Sequence, residues 1–412
     1  MTRTVSILVS LLLVTSLLAV TGTAVAVEDD DDDSEVFAGT HLAFSVEGSA
    51  IASYELGGTE TFSEVRVESQ SEAAVDVGAG LDAVADIEGA GLSMSAEAET
   101  NAQIEAESGA ELLAHDTKQG HLVVEAGGDD QVVEAELSAE ASAEADGDAV
   151  VVENGQYEGA FVVAGEGSVE VNSEGDVVAD LDGDATLVFR AYAAGERTDV
   201  TELEESQIAD GTASVDLHVE QRADETVAEA VTFGQETSAE AHAEAEGTVE
   251  VAVERAVSEG TVVITTVERA VLDASSGLDV TIDGEVVTEA ETQVDLLAAA
   301  QGGEPTFMIG QETEAEATVY VGVDHFSERQ VEMQEADDGD DYDDGDDDGA
   351  DDAEDDYADD HDDGDDYDDS ADDHADDDTP SHDDADDDSI PGFGVVVALI
   401  ALLSAAALAM RE

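Results

Sequence analysis

Gly247-Thr248-Val249-Glu250-Val251-Ala252-Val253-Glu254 alternates apolar and polar residues through its whole length. A period of two is the pleat of a β-strand with one face on a core and one in water. The same period runs through Phe62-Ser63-Glu64-Val65-Arg66-Val67-Glu68, Ser168-Val169-Glu170-Val171 and Leu278-Asp279-Val280-Thr281-Ile282. Between such runs stand Asp146-Gly147, Asn154-Gly155, Asp182-Gly183 and Asp283-Gly284. Asn-Gly and Asp-Gly favour hairpin turns whose twist matches paired strands. The expected fold is mainly β, as two or three antiparallel β-sandwich-like modules over residues 35–150 and 151–333, with a soft boundary near 146–160.

The Ala/Glu tracts test this reading. Ser95-Ala96-Glu97-Ala98-Glu99 and Ser138-Ala139-Glu140-Ala141-Ser142-Ala143-Glu144-Ala145 have helix-forming composition. Their strict spacing of two would scatter alanines around a helix but lines one face of a strand, so both are read as strands. Thr201 to Ile208 and Thr288 to Ala300 are the segments that read as short helices. Gly234-Gln235-Glu236-Thr237 and Gly310-Gln311-Glu312-Thr313 open two similar tracts, which raises an internal duplication.

Composition narrows the partners. Of 412 residues, 108 are acidic and 10 are Lys or Arg, for a formal net charge of -98. Nucleic acid is disfavoured, because phosphates need Lys and Arg, and so is adsorption to anionic lipid. With no cysteine there is no disulfide framework, thiolate site or Cys nucleophile. At about 1 M salt the Debye length is only about 3 Å, so such a surface repels itself little. Abundant Ala, Gly and acids, a single Lys and no Trp resemble the secreted proteins of halophilic archaea.

Both ends read as addresses. Arg3, the apolar run Val5 to Val20 and Ala24-Val25-Ala26 have the order of a secretory signal peptide over residues 1–26, with cleavage set by Ala24 and Ala26. An acidic leader follows over 27–34. Residues 334–389 are dense in Asp, a like-charge block expected to be a disordered spacer. Then come Pro391-Gly392-Phe393, the apolar run Gly394 to Ala409, Arg411 and Glu412. As a helix that run spans about 24 Å, short of a hydrocarbon core of about 30 Å.

Tripeptide, short apolar helix and basic end together resemble the PGF-CTERM sorting signal of archaeal surface proteins, here over residues 390–412. The resemblance implies an archaeosortase that recognises Pro391, Gly392 and Phe393, removes the hydrophobic tail and joins the new end to a prenyl-derived membrane lipid. It implies a location at the outer face of the plasma membrane, with surface-layer components as further partners. Such spacers are often Thr-rich, whereas this one is Asp-rich.

Motifs for chemistry are sparse. No His-Glu-x-x-His, Gly-x-Ser-x-Gly or phosphate-cradling Gly-Lys-Ser/Thr sequence occurs. His115, Asp116 and His121 surround a turn with Lys118; imidazole and carboxylate suit several divalent ions, but the plainer reading is a polar loop. His325 reads as a strand-end residue. Asp180, Asp182 and Asp184 make an Asp-x-Asp-Gly-Asp cluster, a candidate Ca²⁺ loop with an ordinary turn as the alternative. Asp344-x-Asp346-x-Asp348-Gly349 copies the start of an EF-hand loop within an Asp run. His361, His374 and His382 could capture transition metals from the same tract. No cofactor is expected beyond Ca²⁺ or other counter-cations. The expectation is a non-enzymatic structural, adhesive or binding protein of the cell envelope, against the alternative of a surface-displayed hydrolase or a solute- or metal-binding protein.

Overall fold

The computed structural model describes residues 27–28 and 34–336, apart from 74–79, 86, 96–99, 223–224, 235–236, 246, 256–259 and 325–327. The signal-peptide region, the Asp-rich tract from 337 and the terminal apolar run lie outside the described residues. Four sheets form. Sheet 1 has the order Val27–Glu28, Ser34–Ala38, Leu42–Glu47, Ala50–Leu56, Thr59–Ser69, Gln131–Leu137, Val177–Leu181, Gly167–Val171. Sheet 2 runs Ser142–Asp146, Ala149–Glu153, Tyr157–Ala164, Thr186–Ala193, Leu122–Glu125, Glu111–His115, Asn101–Ala106, Leu92–Ser95. Sheet 3 runs Glu225–Thr232, Ala213–Arg222, Thr261–Glu268, Glu316–Val323, Thr306–Glu312, Thr288–Glu289. Sheet 4 runs Thr237–Ala245, Thr248–Arg255, Glu328–Glu335, Leu278–Ile282, Glu285–Val286.

Pleat periodicity assigns each side chain to a gap between sheets. In Thr248–Arg255 the valines 249, 251 and 253 are buried, while the residues between them are partly exposed. They join Val215, Leu217, Val263, Val319 and Val321 in a core between sheets 3 and 4. A second core fills the gap between sheets 1 and 2, with Phe62, Phe161 and Phe189 in mutual ring contact at its centre. A third lies between sheets 2 and 3, where Val123, Val162 and Val188 meet Val262 and Ile264. The stack is therefore 1-2-3-4, and its two inner sheets are covered on both faces. Thr261–Glu268 shows this best: residues 262 and 264 face sheet 2, and 263 and 267 face sheet 4.

Two short helices close the third gap. α1 (Asp199–Ala209) buries Ile208, and α2 (Gln293–Ala300) buries Leu296, Ala299 and Ala300. Asp283-Gly284 joins Leu278–Ile282 to Glu285–Val286 with φ of 53° and 79°, the pair of positive values that a type I′ hairpin needs.

Several details depart from expectation. The boundary expected at 150/151 falls inside strand Ala149–Glu153 of sheet 2, and the chain passes from sheets 1 and 2 to sheets 3 and 4 between residues 193 and 213. The described residues fall within one compact unit, in which the third core joins the two sheet pairs. The expected antiparallel pairing holds throughout sheets 1, 2 and 4, but Ala213–Arg222 lies parallel to Thr261–Glu268 in sheet 3. The chain between them crosses to sheet 4 and back, which supplies the long connection a parallel pair requires. The two similar tracts at 234 and 310 occupy different settings. Thr237–Ala245 is an edge strand of sheet 4, whereas Gly310 lies within Thr306–Glu312 of sheet 3. The second Ala/Glu tract is a turn at 139–140 followed by the exposed edge strand Ser142–Asp146, and residues 96–99 of the first lie outside the described residues.

Candidate functional site

The gap between sheets 2 and 3 holds apolar residues at one end and a buried polar cluster at the other. Its anchor is the 115–121 loop, between Glu111–His115 and Leu122–Glu125 of sheet 2. The Asp116 carboxylate accepts from the backbone N–H groups of Thr40, His41 and Leu42 at 2.6, 2.7 and 2.8 Å, which ties the loop to sheet 1. Arg222 of sheet 3 donates to the same carboxylate at 3.2 Å. The Tyr54 hydroxyl donates to the Gly120 carbonyl at 2.8 Å. Lys118 Nζ reaches Glu268 at 2.6 Å and Glu316 at 3.4 Å, both in sheet 3. His115 Nδ1 lies 2.7 Å from Glu229 Oε1, which also accepts from Asn101 at 3.0 Å. Four residues, His115, Asp116, Lys118 and Gly120, thus tie this part of sheet 2 to sheets 1 and 3.

His121 is the innermost member, fully buried. Its Nε2 lies 3.3 Å from Asp216 Oδ2, and His218 Nε2 lies 3.2 Å from Asp216 Oδ1. Asp216 and His218 share the face of Ala213–Arg222 turned away from Val215, Leu217 and Val219, which fill the core with sheet 4. Arg190 enters from sheet 2. Its Nη2 donates to Asp216 Oδ2 at 2.8 Å and to Glu204 of α1 at 3.0 Å, and its Nε donates to His121 Nε2 at 3.4 Å. The Tyr320 hydroxyl donates to the other oxygen of Glu204. Burial pushes the His121 imidazole down to about 3, against the pull of Asp216, so the ring is neutral. Burial alone would raise the Asp216 carboxyl; His218, Arg190 and His121 outweigh it and hold it well below the usual range. For Glu229, burial is likewise outweighed, here by His115 and by hydrogen bonds from Thr100 and Asn101, and its carboxyl lies below 4.5.

His121, Asp216 and His218 form the one group of three converging donors found among the described residues, with their ligand atoms within 4.8 Å of one another. Beside them opens a cleft of about 610 Å³, lined among others by His41, Lys118, Tyr157, Arg190, Tyr192 and Glu204. Arg190 Nη1 and the Tyr192 hydroxyl are buried without a hydrogen-bond partner.

The Asp cluster of the other sheet pair is a different place. Asp180 lies on Val177–Leu181 and accepts from the Gln70 side chain, while Asp182 and Asp184 flank Gly183 in the following turn. Burial, Asp182 and Asp130 raise the Asp180 carboxyl despite the Gln70 contact. Asp180, Asp182 and Asp184 do not converge as the buried trio does. Ala24, Ala26, Pro391, Gly392, Phe393, His325, His361, His374, His382 and the EF-hand-like stretch lie outside the described residues. Sequence reasoning reached His115, Asp116 and His121 but set them aside as a polar loop, and it missed Asp216, His218, Arg190 and Glu204. One signal was available: in Thr186-Leu187-Val188-Phe189-Arg190-Ala191-Tyr192-Ala193 the arginine is the only charge, in a run that is otherwise largely apolar on both faces. A charge in such a run sits in a doubly covered strand and requires buried partners.

Comparison with known proteins speaks to the C-terminal segment. Residues 390–412 match the PGF-CTERM motif, and no other family is found along the chain. The motif is an archaeosortase recognition signal and marks a secreted cell-surface protein, anchored at the membrane through its C-terminal segment. No curated protein matches the chain. Among solved structures, an amine oxidase of Aspergillus nidulans aligns at 9% identity over 73% of this chain and 51% of that chain, with a TM-score of 0.11. The chain thus spans about half the length of that enzyme, and a likeness of this size carries no argument about fold or activity. Among the described residues no helix is long and apolar enough to cross a membrane.

Proposed function

We propose that the chain is a non-enzymatic cell-envelope protein of a halophilic archaeon. It is exported by its N-terminal signal, processed at Pro391-Gly392-Phe393 and held by a lipid at the outer membrane face. Its folded part serves as a rigid structural or adhesive module within or beneath the surface layer. The observation that carries this reading is the match of residues 390–412 to the sorting motif. The rigid character is supported by the stack, in which Asp116 and Gly120 of the 115–121 loop and the Nη2 of Arg190 make bonds between neighbouring layers. Intact mass of the protein extracted from native membranes at high salt tests the reading. A mass that starts near Val27, ends near the tripeptide and carries a lipid supports it. A mass that retains Gly394 to Glu412 replaces processing with a plain C-terminal anchor.

A second reading is a surface-displayed hydrolase or solute-binding protein. The cleft beside Arg190 favours it, because Arg190 and Tyr192 leave polar atoms unmatched at its wall. Turnover by the purified protein that is lost on changing Tyr192 to Phe would move the assignment there.

A further inference from the structure

We propose that His121, Asp216 and His218 bind one divalent transition-metal ion, with zinc the best fit, and that the ion ties sheet 2 to sheet 3. The first support is spacing. Zinc bonds of about 2.0–2.1 Å in a tetrahedron put neighbouring donors about 3.3 Å apart. The two imidazole Nε2 atoms lie 3.3 and 3.2 Å from the oxygens of Asp216. The second is independent of spacing. Asp216 Oδ1 and His218 Nε2 are buried 3.2 Å apart as an ion pair, yet without the geometry of a good hydrogen bond, and no other group bonds to either atom. Two such atoms left unmatched cost free energy, and a shared ion satisfies both. The third is orientation. Because Arg190 Nε donates to His121 Nε2, the ring proton sits on Nδ1, where the buried Thr117 hydroxyl accepts it at 3.0 Å. An outer partner on Nδ1 fixes a ligating histidine in this way, and the ion would take the Nε2 lone pair in place of the long 3.4 Å contact from Arg190.

The donors also discriminate. Two imidazoles and one carboxylate suit zinc and its neighbours, whereas calcium and magnesium prefer all-oxygen sites. The surrounding charge admits a cation, since Arg190 is outnumbered by Asp216 and Glu204. The guanidinium on Asp216 Oδ2 lowers the affinity such a site would otherwise have. The competing arrangement is a His–Asp–His hydrogen-bond relay with no ion.

The test uses the full chain in molar KCl with excess Mg²⁺, which fills the diffuse acidic sites. The protein is loaded with Zn²⁺, dialysed, and its metal measured by elemental analysis. One zinc per chain is expected in the wild type and in a variant with His361, His374 and His382 all changed to Ala. Less than a tenth of that is expected in His218→Ala. Wild type without zinc overturns the proposal, as does His218→Ala that keeps it or a loss that follows the tail substitutions. Should His218→Ala not fold, the wild type alone decides. Co²⁺ should then give the intense visible absorption of a tetrahedral site, and Zn²⁺ should raise Tm reversibly against a chelator. A pale octahedral spectrum with an unmoved Tm rejects the site.

Discussion

Arg190 is among the largest fully buried side chains of the protein, and its bonds to Asp216 and Glu204 bring together sheet 2, sheet 3 and α1. Replacing it with Met leaves two carboxylates without their counter-charge, a change that typically costs about 3–5 kcal/mol. Denaturation of Arg190→Met at molar salt should show a loss of that order; a loss below about 1 kcal/mol would mean that the pair adds nothing beyond its hydrophobic equivalent. Glu229 gives a pH signature. Its carboxyl is depressed in the folded state, so its contribution is complete above the unfolded value of 4.5 and disappears as pH falls through the folded value. Glu229→Gln should therefore be less stable than wild type at pH 6, and the two stabilities should converge as pH drops below 4.5. Curves that stay parallel down to acid would remove the charge from the account. At this scale the sequence was least legible. Asp216 and His218 stand where an alternating strand usually shows its wet face, and only the covering of sheet 3 by sheet 2 turns that face inward.

At the scale of elements, alternation and turn residues were reliable guides. Thr248–Arg255 and Leu278–Ile282 came out as read, with their valines and isoleucine inside. The helix expected over 201–208 extends to Asp199–Ala209. The one expected over 288–300 starts only at Gln293, because Thr288–Glu289 pairs with Thr306 and Phe307 at the edge of sheet 3. Local propensity could not foresee that pairing. What stops α2 from extending backward is Thr292, whose hydroxyl oxygen accepts from the Asp295 N–H at 3.3 Å. Thr292→Ala should cost about 1 kcal/mol, and Thr292→Ser should recover most of it. Equal melting temperatures for the three proteins would show that packing of Leu296 and Ala300 alone holds α2.

For the whole molecule, the net charge of -98 leads to an expectation about salt. The 108 acidic residues of the chain face only 10 Lys and Arg. Several of those few, with the buried histidines, are drawn into the gap where sheets 2 and 3 meet. Lowering salt from about 1 M to about 0.1 M lengthens the Debye length from about 3 Å to about 10 Å. Repulsion over the outer surfaces should then grow and the β signal collapse cooperatively. A far-UV spectrum unchanged over that range would refute adaptation to high salt. The stack order 1-2-3-4 itself was not legible: each strand declares that it has a buried face, but not which sheet covers it.

The last described strand, Glu328–Glu335, lies in the middle of sheet 4, antiparallel to Thr248–Arg255 on one side and Leu278–Ile282 on the other. From it the chain continues into the acidic tract and the anchoring signal. Tension applied between the anchored end and the body of the protein would run along this strand. It would load both rows of backbone hydrogen bonds in shear, so that they must fail together, whereas an edge strand can be peeled off bond by bond. Forced unfolding is governed by the rate of crossing that barrier. A surface protein tethered in this way resists drag best at the point where drag acts on it.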